Sequence, residues 1–391
     1  SAAGLHSMPY RIVADENIQI TPELLSISES LLTLPGRAIA PVHLVAADVL
    51  LVRSVTEVNE QLIGSSGIRF VGTATAGVEH VDVEYLAGRS IKFASAPGAN
   101  ANAVVEYVLS VLAARGRIAE ILDGGAIGIL GYGNVGSQLA RVILALGGQA
   151  VVWDPWQKVP AALKSPSLEY VLQQPVVSLH ASLHDHSPWP SRAIINTPLP
   201  AGMPAGQLFI NAARGELLTD AALQALCARG TDIVLDVWPD EPAISPRQLA
   251  AVSLGTPHIA GYTLSAKILA TNMLVEALIG SSVRAGAKKA ALQEVAATDP
   301  SATVAIDMTG HQSTSVAAWL ACLLLKSYDP GFDSCELAKL RDSNVRPSDF
   351  DALRRHYHLR RELRGRSVLM PASSDALLSR LVSALGALPE H

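Results

Sequence analysis

A chain of 391 residues predicts two or three domains at roughly 150 residues each, and a composition 49% hydrophobic and 17% charged excludes a disordered polymer. Lysine and arginine total 30 against 35 acidic residues, and the net charge of −5 argues against nucleic-acid binding by bulk charge. Cys227, Cys322 and Cys335, at unrelated spacings, form neither a disulfide framework nor a zinc ribbon and fit a reducing, cytoplasmic compartment.

Residues 1–7 precede Met8 without a basic and then apolar leader, and are read as a remnant outside the fold. From Tyr10 onward, short β-branched runs alternate with helical stretches. Strands are predicted at 11–14, 49–52, 68–71 and 91–94, then a helix over 103–115 with Asn102 as its N-cap and Gly116 near its end. A second series follows, with strands at 126–130, 150–153, 176–179, 208–210 and 233–236. This alternation predicts an α/β fold of two doubly wound parallel-sheet domains, Rossmann or flavodoxin-like. Helices over 103–115 and 266–279 bracket the second series. The first domain is therefore expected to be discontinuous, 8–101 with 258–286, around a dinucleotide-binding domain over 102–257. Beyond about Ala287 the character changes. Residues 295–303 read as a polar linker, and the tail is dense in arginine (Arg354, Arg355, Arg360, Arg361, Arg364, Arg366), so 287–391 is expected to form a smaller α+β domain. Mean hydropathy is +0.29, but the longest apolar stretch, 315–325, stops at Lys326, short of the roughly 18–20 residues a membrane span needs.

Gly131-Tyr-Gly133-Asn134-Val135-Gly136 follows the predicted strand 126–130 and opens an amphipathic helix over 135–146. A G-x-G-x-x-G run is weak by itself; between a strand and a helix it has the context that a dinucleotide requires. Gly131 permits the tight turn, Gly133 lets the backbone approach a pyrophosphate, and Gly136 allows close helix–strand packing. Asp154 ends the next predicted strand, placed to accept the adenosine ribose hydroxyls, and is followed by Pro155 and Trp156 rather than by a cation. NAD is thus expected over NADP.

Three later segments carry polar residues at predicted strand ends: Asn211-Ala212-Ala213-Arg214-Gly215, Asp236-Val-Trp-Pro-Asp-Glu241-Pro, and Pro257-His258-Ile-Ala-Gly261-Tyr262. Oxidising a 2-hydroxy acid needs a base for the hydroxyl proton, a cation for the carboxylate and a hydride acceptor. His258 supplies the acid/base group, Glu241 orients it and stabilises its cation, and Arg214 holds a carboxylate through its planar fork. Taken singly, each reads as a structural histidine, a solvated acid or a surface ion-pair partner; their joint order carries the assignment. Asp236 ends an apolar strand, where a carboxylate is costly without a partner, and the nicotinamide amide is the expected partner. No metal-ligand spacing is present.

Arg214-Gly, Asp236-Val-x-x-x-Glu241-Pro and Pro257-His258-x-x-Gly261, in this order after the glycine motif, resemble the D-isomer-specific 2-hydroxyacid dehydrogenases. The segments 11–17, 34–37, 51–58, 95–98, 260–262 and 350–357 narrow the resemblance to the branch that oxidises 4-phospho-D-erythronate with NAD in bacterial vitamin B6 synthesis. That resemblance implies Arg214, Glu241 and His258 as catalytic residues, and NAD held by Gly131, Gly133, Asn134, Val135, Gly136, Asp154, Ala212, Ala213, Asp236 and Gly261. It also implies substrate contacts from Ser54, Thr75 and Tyr262, and a homodimer formed through the C-terminal domain. A phosphorylated sugar acid needs two anion sites; beside Arg214, Arg53-Ser54 at a strand end suits the phosphate. Arg354 or Arg355 is expected to add positive potential near a phosphate in the partner subunit, against the alternative of a solvated helix face. Two other readings stay open at this stage. One is a related dehydrogenase of the phosphoglycerate or glyoxylate type; the other is an NAD(H)-sensing, corepressor-like binding protein on the same fold.

Overall fold

The computed structural model describes residues 9–280, 304–311, 315–341, 346–372, 374 and 376–391. The leading segment 1–7, the linker expected at 295–303 and the boundary expected at 286/287 lie outside these residues. Five strands form the first sheet: β1 (Tyr10–Asp15), β2 (Ser28–Leu34), β3 (Val49–Val52), β4 (Phe70–Thr73) and β5 (Lys92–Ser95). They run parallel in the order β2-β1-β3-β4-β5. β3 and β4 are buried along their whole length, as expected of central parallel strands covered on both faces. β2 has no counterpart among the predicted strands. It is an edge strand with no fully buried residue, so Ser-Glu-Ser-Leu-Leu-Thr-Leu carries no continuous apolar run.

Six more strands form the second sheet: β6 (Ala126–Leu130), β7 (Gln149–Trp153), β8 (Val176–Leu179), β9 (Leu208–Asn211), β10 (Asp232–Leu235) and the two-residue β11 (Leu254–Gly255). All are parallel, in the order β11-β10-β9-β8-β6-β7. The order reverses between β6 and β8. A doubly wound sheet opens its ligand crevice at such a reversal, outside the carboxyl ends of the strands. The third sheet is small and parallel, β12 (Ile306–Asp307), β13 (Ser367–Leu369) and β14 (Leu388–Glu390), in that order.

The described residues group into two compact units, 9–100 with 263–280, and 101–262 with those beyond 303. The C-terminal stretch shares the core of the second unit, because one apolar cluster runs from Ile127, Ile129 and Leu139 through Val108 and Leu112 to Leu320, Leu323 and Val368. The helix Ala101–Ala114 is almost entirely buried within that cluster. Asn102 does not cap it. The residue lies in the first turn, and its amide bonds Glu106 Oε1 at 2.9 Å and Glu362 Oε2 at 2.7 Å while accepting Gln138 Nε2 at 2.7 Å. Its side chain thus serves a long-range polar cluster. Among the described residues no helix is long and apolar enough to cross a membrane.

Candidate active site

Every motif of the second unit stands at the carboxyl edge of its sheet. Gly131 follows β6 with φ +98°, and a Cβ there would lie 2.6 Å from Ala181 N and 2.7 Å from His180 O. At Gly136 a Cβ would meet Gly131 O at 2.0 Å, so only glycine lets the helix Asn134–Ala145 start this close to the strand. A Cβ on Gly133 would meet nothing within 4 Å. That open surface, beside the first-turn N–H groups of Asn134, Val135 and Gly136, which no side chain caps, has the chemistry of an anion cradle. Asp154 follows β7. Its Oδ2 accepts Tyr132 N at 2.7 Å and its Oδ1 accepts Trp156 N at 2.8 Å, which fixes the glycine turn against the end of the neighbouring strand. These groups fit a dinucleotide: backbone donors for a pyrophosphate, and a carboxylate one strand away.

Arg214 follows β9 in a turn built by Asn211, whose Oδ1 accepts Ala213 N at 3.1 Å and whose Nδ2 donates to Arg214 O at 2.9 Å. Ala212 and Ala213 are the body of that turn, and Arg214 Nη1 donates to Ala213 O at 2.8 Å. A Cβ on Gly215 would sit 1.9 Å from Trp238 O. The Arg214-Gly215 turn therefore lies directly on the Trp238–Glu241 turn, and glycine is what allows the approach. Trp238 N in turn donates to Glu241 Oε2 at 3.0 Å.

Glu241 Oε1 and His258 Nδ1 are hydrogen-bonded. Burial would raise the Glu241 carboxyl, but the charge and hydrogen bond of His258, the charge of Arg354 and the Trp238 N–H together hold it below its ordinary value. His258 has φ +56°, an unusual conformation for a residue with a Cβ. Its N–H donates to Asp236 O at 2.8 Å.

Asp236 is not short of partners. Its Oδ1 accepts Thr256 Oγ1 at 2.7 Å and Ile259 N at 2.8 Å, and its Oδ2 accepts Ala260 N at 2.9 Å. The chain itself supplies the donors, so this carboxylate does not need the nicotinamide amide as a partner, and Asp236 holds the loop that carries His258, Gly261 and Tyr262. Burial still pushes its carboxyl up.

Two residues of this site have no signal in a motif search. Tyr107, fully buried, bonds Thr256 Oγ1 at 2.7 Å and extends the chain of hydroxyls to Asp236. Arg360 donates Nη1 to Ile259 O at 2.7 Å and Nη2 to Ala260 O, with its Cζ 4.3 Å from the Tyr328 ring centroid. The two peptides after His258 are thus held from both sides, their N–H groups by Asp236 and their carbonyls by Arg360. The arginine density of the tail was the available clue. Arg354 does not lie on a solvated face either: its Nη2 donates to Tyr262 Oη of its own chain at 3.0 Å.

Arg53, Ser54 and Thr75 belong to the first unit. Arg53 and Ser54 follow β3, and Thr75 follows β4, its Oγ1 donating to Gly77 O at 2.7 Å. Among the described residues no group of His, Cys, Asp and Glu could hold a metal ion.

Residues 112–260 match the family described as D-isomer specific 2-hydroxyacid dehydrogenase, NAD binding domain. Solved structures agree in fold. The NAD-bound 3-phosphoglycerate dehydrogenase of Entamoeba histolytica superposes with a TM-score of 0.59 at 20% identity, over 69% of this chain and 94% of that one. The D-lactate dehydrogenase of Aquifex aeolicus, complexed with NAD and lactic acid, gives 0.55 at 20% identity, over 69% and 93%. The fold and site thus define an NAD-dependent oxidoreductase of the 2-hydroxyacid dehydrogenase class. The erythronate-4-phosphate dehydrogenases of Hahella chejuensis and Pseudomonas aeruginosa are each 37% identical, over 96% of this chain and 98% and 99% of their own. The chain belongs to the erythronate-4-phosphate dehydrogenase family.

Proposed function

We propose that the chain oxidises 4-phospho-D-erythronate at C2 to 2-oxo-3-hydroxy-4-phosphobutanoate with NAD, a step toward pyridoxal 5′-phosphate. The observation that carries this reading is the His258–Glu241 pair at the carboxyl edge of a dinucleotide-binding sheet, in a chain related to these dehydrogenases over 96% of its length.

The mechanism follows from the chain's own groups. His258 gives Nδ1–H to Glu241, which leaves the Nε2 lone pair to take the proton of the C2 hydroxyl. Glu241, held ionised, stabilises the imidazolium that forms. Arg214 binds the substrate carboxylate through its fork. NAD, when bound, accepts the C2 hydride; Gly131, Gly133, Gly136 and Asp154, with the first-turn N–H groups, would hold it. Arg53, Ser54, Thr75 and Tyr262 are proposed substrate contacts, and the roles of Ala212, Ala213, Asp236 and Gly261 at the cofactor are proposed likewise.

We also propose a cytoplasmic homodimer that uses 287–391 as its dimerisation domain, with 8–101 and 258–286 as the substrate domain and 102–257 as the cofactor domain. Exposed apolar side chains in that stretch support the dimer, with Phe332 at 75% exposure and Leu388 at 53%. Free cysteines fit a reducing compartment. A steady-state assay of NADH formation with erythronate 4-phosphate, 3-phosphoglycerate and glycolate tests the substrate. Rapid turnover of the first alone is expected. Preference for either of the others overturns the substrate assignment, and NADH binding without turnover points to a sensor.

A further inference from the structure

The unexplained group near the catalytic pair is Arg354, in the last turn of the helix Pro347–Arg355. Its Nη2 is anchored on Tyr262 Oη at 3.0 Å, and its Cζ lies 5.7 Å from the centroid of that ring. The ring is itself set edge-on against Tyr357, 6.0 Å away. Tyr262 is four residues beyond His258, in the loop clamped by Asp236 and Arg360, and the guanidinium is near enough for its charge to act on Glu241. One donor of Arg354, Nε, is buried without a hydrogen-bond partner. A buried cation of this kind wants an acceptor. The protein supplies Tyr262 Oη and the charges of Glu241 and Asp351, and an anion at the site would supply an acceptor for Nε.

The charge on the substrate decides which anion. A phosphorylated 2-hydroxy acid brings a carboxylate at C1 and a dianionic phosphate at the far end, and the turn after β9 offers Arg214 for the first. We propose that Arg354 is a substrate-binding residue that recognises the phosphate, so that the C-terminal segment completes the substrate site of its own subunit and sets specificity for phosphorylated acids. This rests on the proposed reaction and assigns the phosphate contact to the subunit that carries Arg354, where the sequence had suggested the partner's site. Planar, bidentate donation is the geometry in which arginine surpasses lysine for phosphate.

The test uses the full chain and the variants R354A and R354K. Steady-state NADH formation is measured with erythronate 4-phosphate and with unphosphorylated erythronate, and inorganic phosphate is titrated into the NADH complex by cofactor fluorescence. For R354A the ratio of the two kcat/KM values is expected to fall by about 10- to 100-fold, through KM for the phosphorylated substrate, as for loss of a charged hydrogen bond. Phosphate affinity falls in parallel, and the pH profile of kcat keeps its shape. R354K recovers part of both and carries the comparison if R354A does not fold. Equal losses on both substrates with phosphate affinity retained would overturn the proposal, as would a shifted pH profile with KM unchanged; either assigns the guanidinium to the support of Glu241. If the parent chain does not turn over erythronate 4-phosphate, the reaction assignment fails by itself. The phosphate titration still decides the role of Arg354.

Discussion

In the first unit the paired charges stay near the surface, and Asp15, at the end of β1, is a buried carboxylate. Asp48 accepts Arg11 Nε at 2.9 Å and Nη2 at 3.0 Å, with Arg69 Nη2 at 3.2 Å, and Arg11 is about half and Arg69 largely open to solvent. The sheet itself is apolar, with Val49 to Val52 and Phe70 to Val71 almost inaccessible. The second unit puts charge inside. Glu106, Asp236 and Glu362 are buried, and Arg360 donates inward to the carbonyls of the His258 loop. Burying a charge stabilises little and often costs stability, whereas removing one partner of a buried set is strongly damaging. The difference teaches that the second unit gives up stability to fix the His258 loop in one conformation with both a buried carboxylate and an inward guanidinium.

The comparison breaks most visibly at His258. His258→Ala is expected to lower kcat by about 10³-fold, within the range for loss of a positioned acid/base, and to leave NADH affinity within about threefold, because the glycine turn is untouched. A comparable loss of NADH affinity, measured by fluorescence titration, would show that the loop is organised around the cofactor and not around proton transfer.

Next in size is Arg360→Met. It strips donors from Ile259 O, which keeps Tyr262 N at 2.8 Å, and from Ala260 O, and a buried carbonyl left unsatisfied costs about 1–3 kcal/mol. Urea denaturation should register that loss with a reduced kcat. Full stability with reduced kcat would mean that water replaces the guanidinium and that only the position of the loop depends on it.

How much of this was legible follows from the same contrast. A central strand such as Val49–Val52 was readable because a parallel strand covered on both faces reads as a continuous apolar run. The glycine turn and the hydrogen-bonded pair of Glu241 and His258 were legible because their motifs follow predicted strands in a fixed order. β2 was not, since an edge strand can be half polar. The partners of Asp236 were not either. Thr256, Ile259 and Ala260 lie 20 or more residues away, and two of the three donate backbone N–H, which leaves no mark on residue type. Arg354 and Arg360 reach residues 92 and about 100 positions distant. Local pattern has no access to such pairs.

Glu106 gives a pH signature. Burial first, and then the neighbouring Glu362, push its carboxyl up to about 7, against the stabilising N–H groups of Leu363 and Arg364. A carboxyl raised on folding stabilises fully below its ordinary value and loses that contribution as pH climbs through the folded value. The parent chain should therefore lose stability between about pH 5 and 8, by at most roughly 3 kcal/mol. Glu106→Gln should be flat over that range, at a lower level, because an amide cannot accept at both ends. A parent chain whose denaturation midpoint is constant from pH 5 to 8 would mean that no carboxyl of this cluster is raised on folding.

The smallest effect belongs to the first unit and has the opposite sign. The hydrogen bonds from Arg11 come first among the causes that hold the Asp48 carboxyl at about 2, with the charges of Arg11 and Arg69 adding to them against partial burial. A carboxyl lowered on folding stabilises above its ordinary value of 3.8 and loses that contribution as pH falls toward 2. With Arg11 46% exposed, solvent screening limits the pair to about 1 kcal/mol. Asp48→Asn should thus cost about 1 kcal/mol at pH 7 and progressively less below pH 4, and high salt should shrink the difference. Turnover should not change, since the pair lies at the start of β1 and β3, away from the strand ends that carry Ser54 and Thr75. A loss of kcat in this variant would mean that the surface charges of the first unit act on its functional loops after all, and the contrast between the two units would then be one of degree.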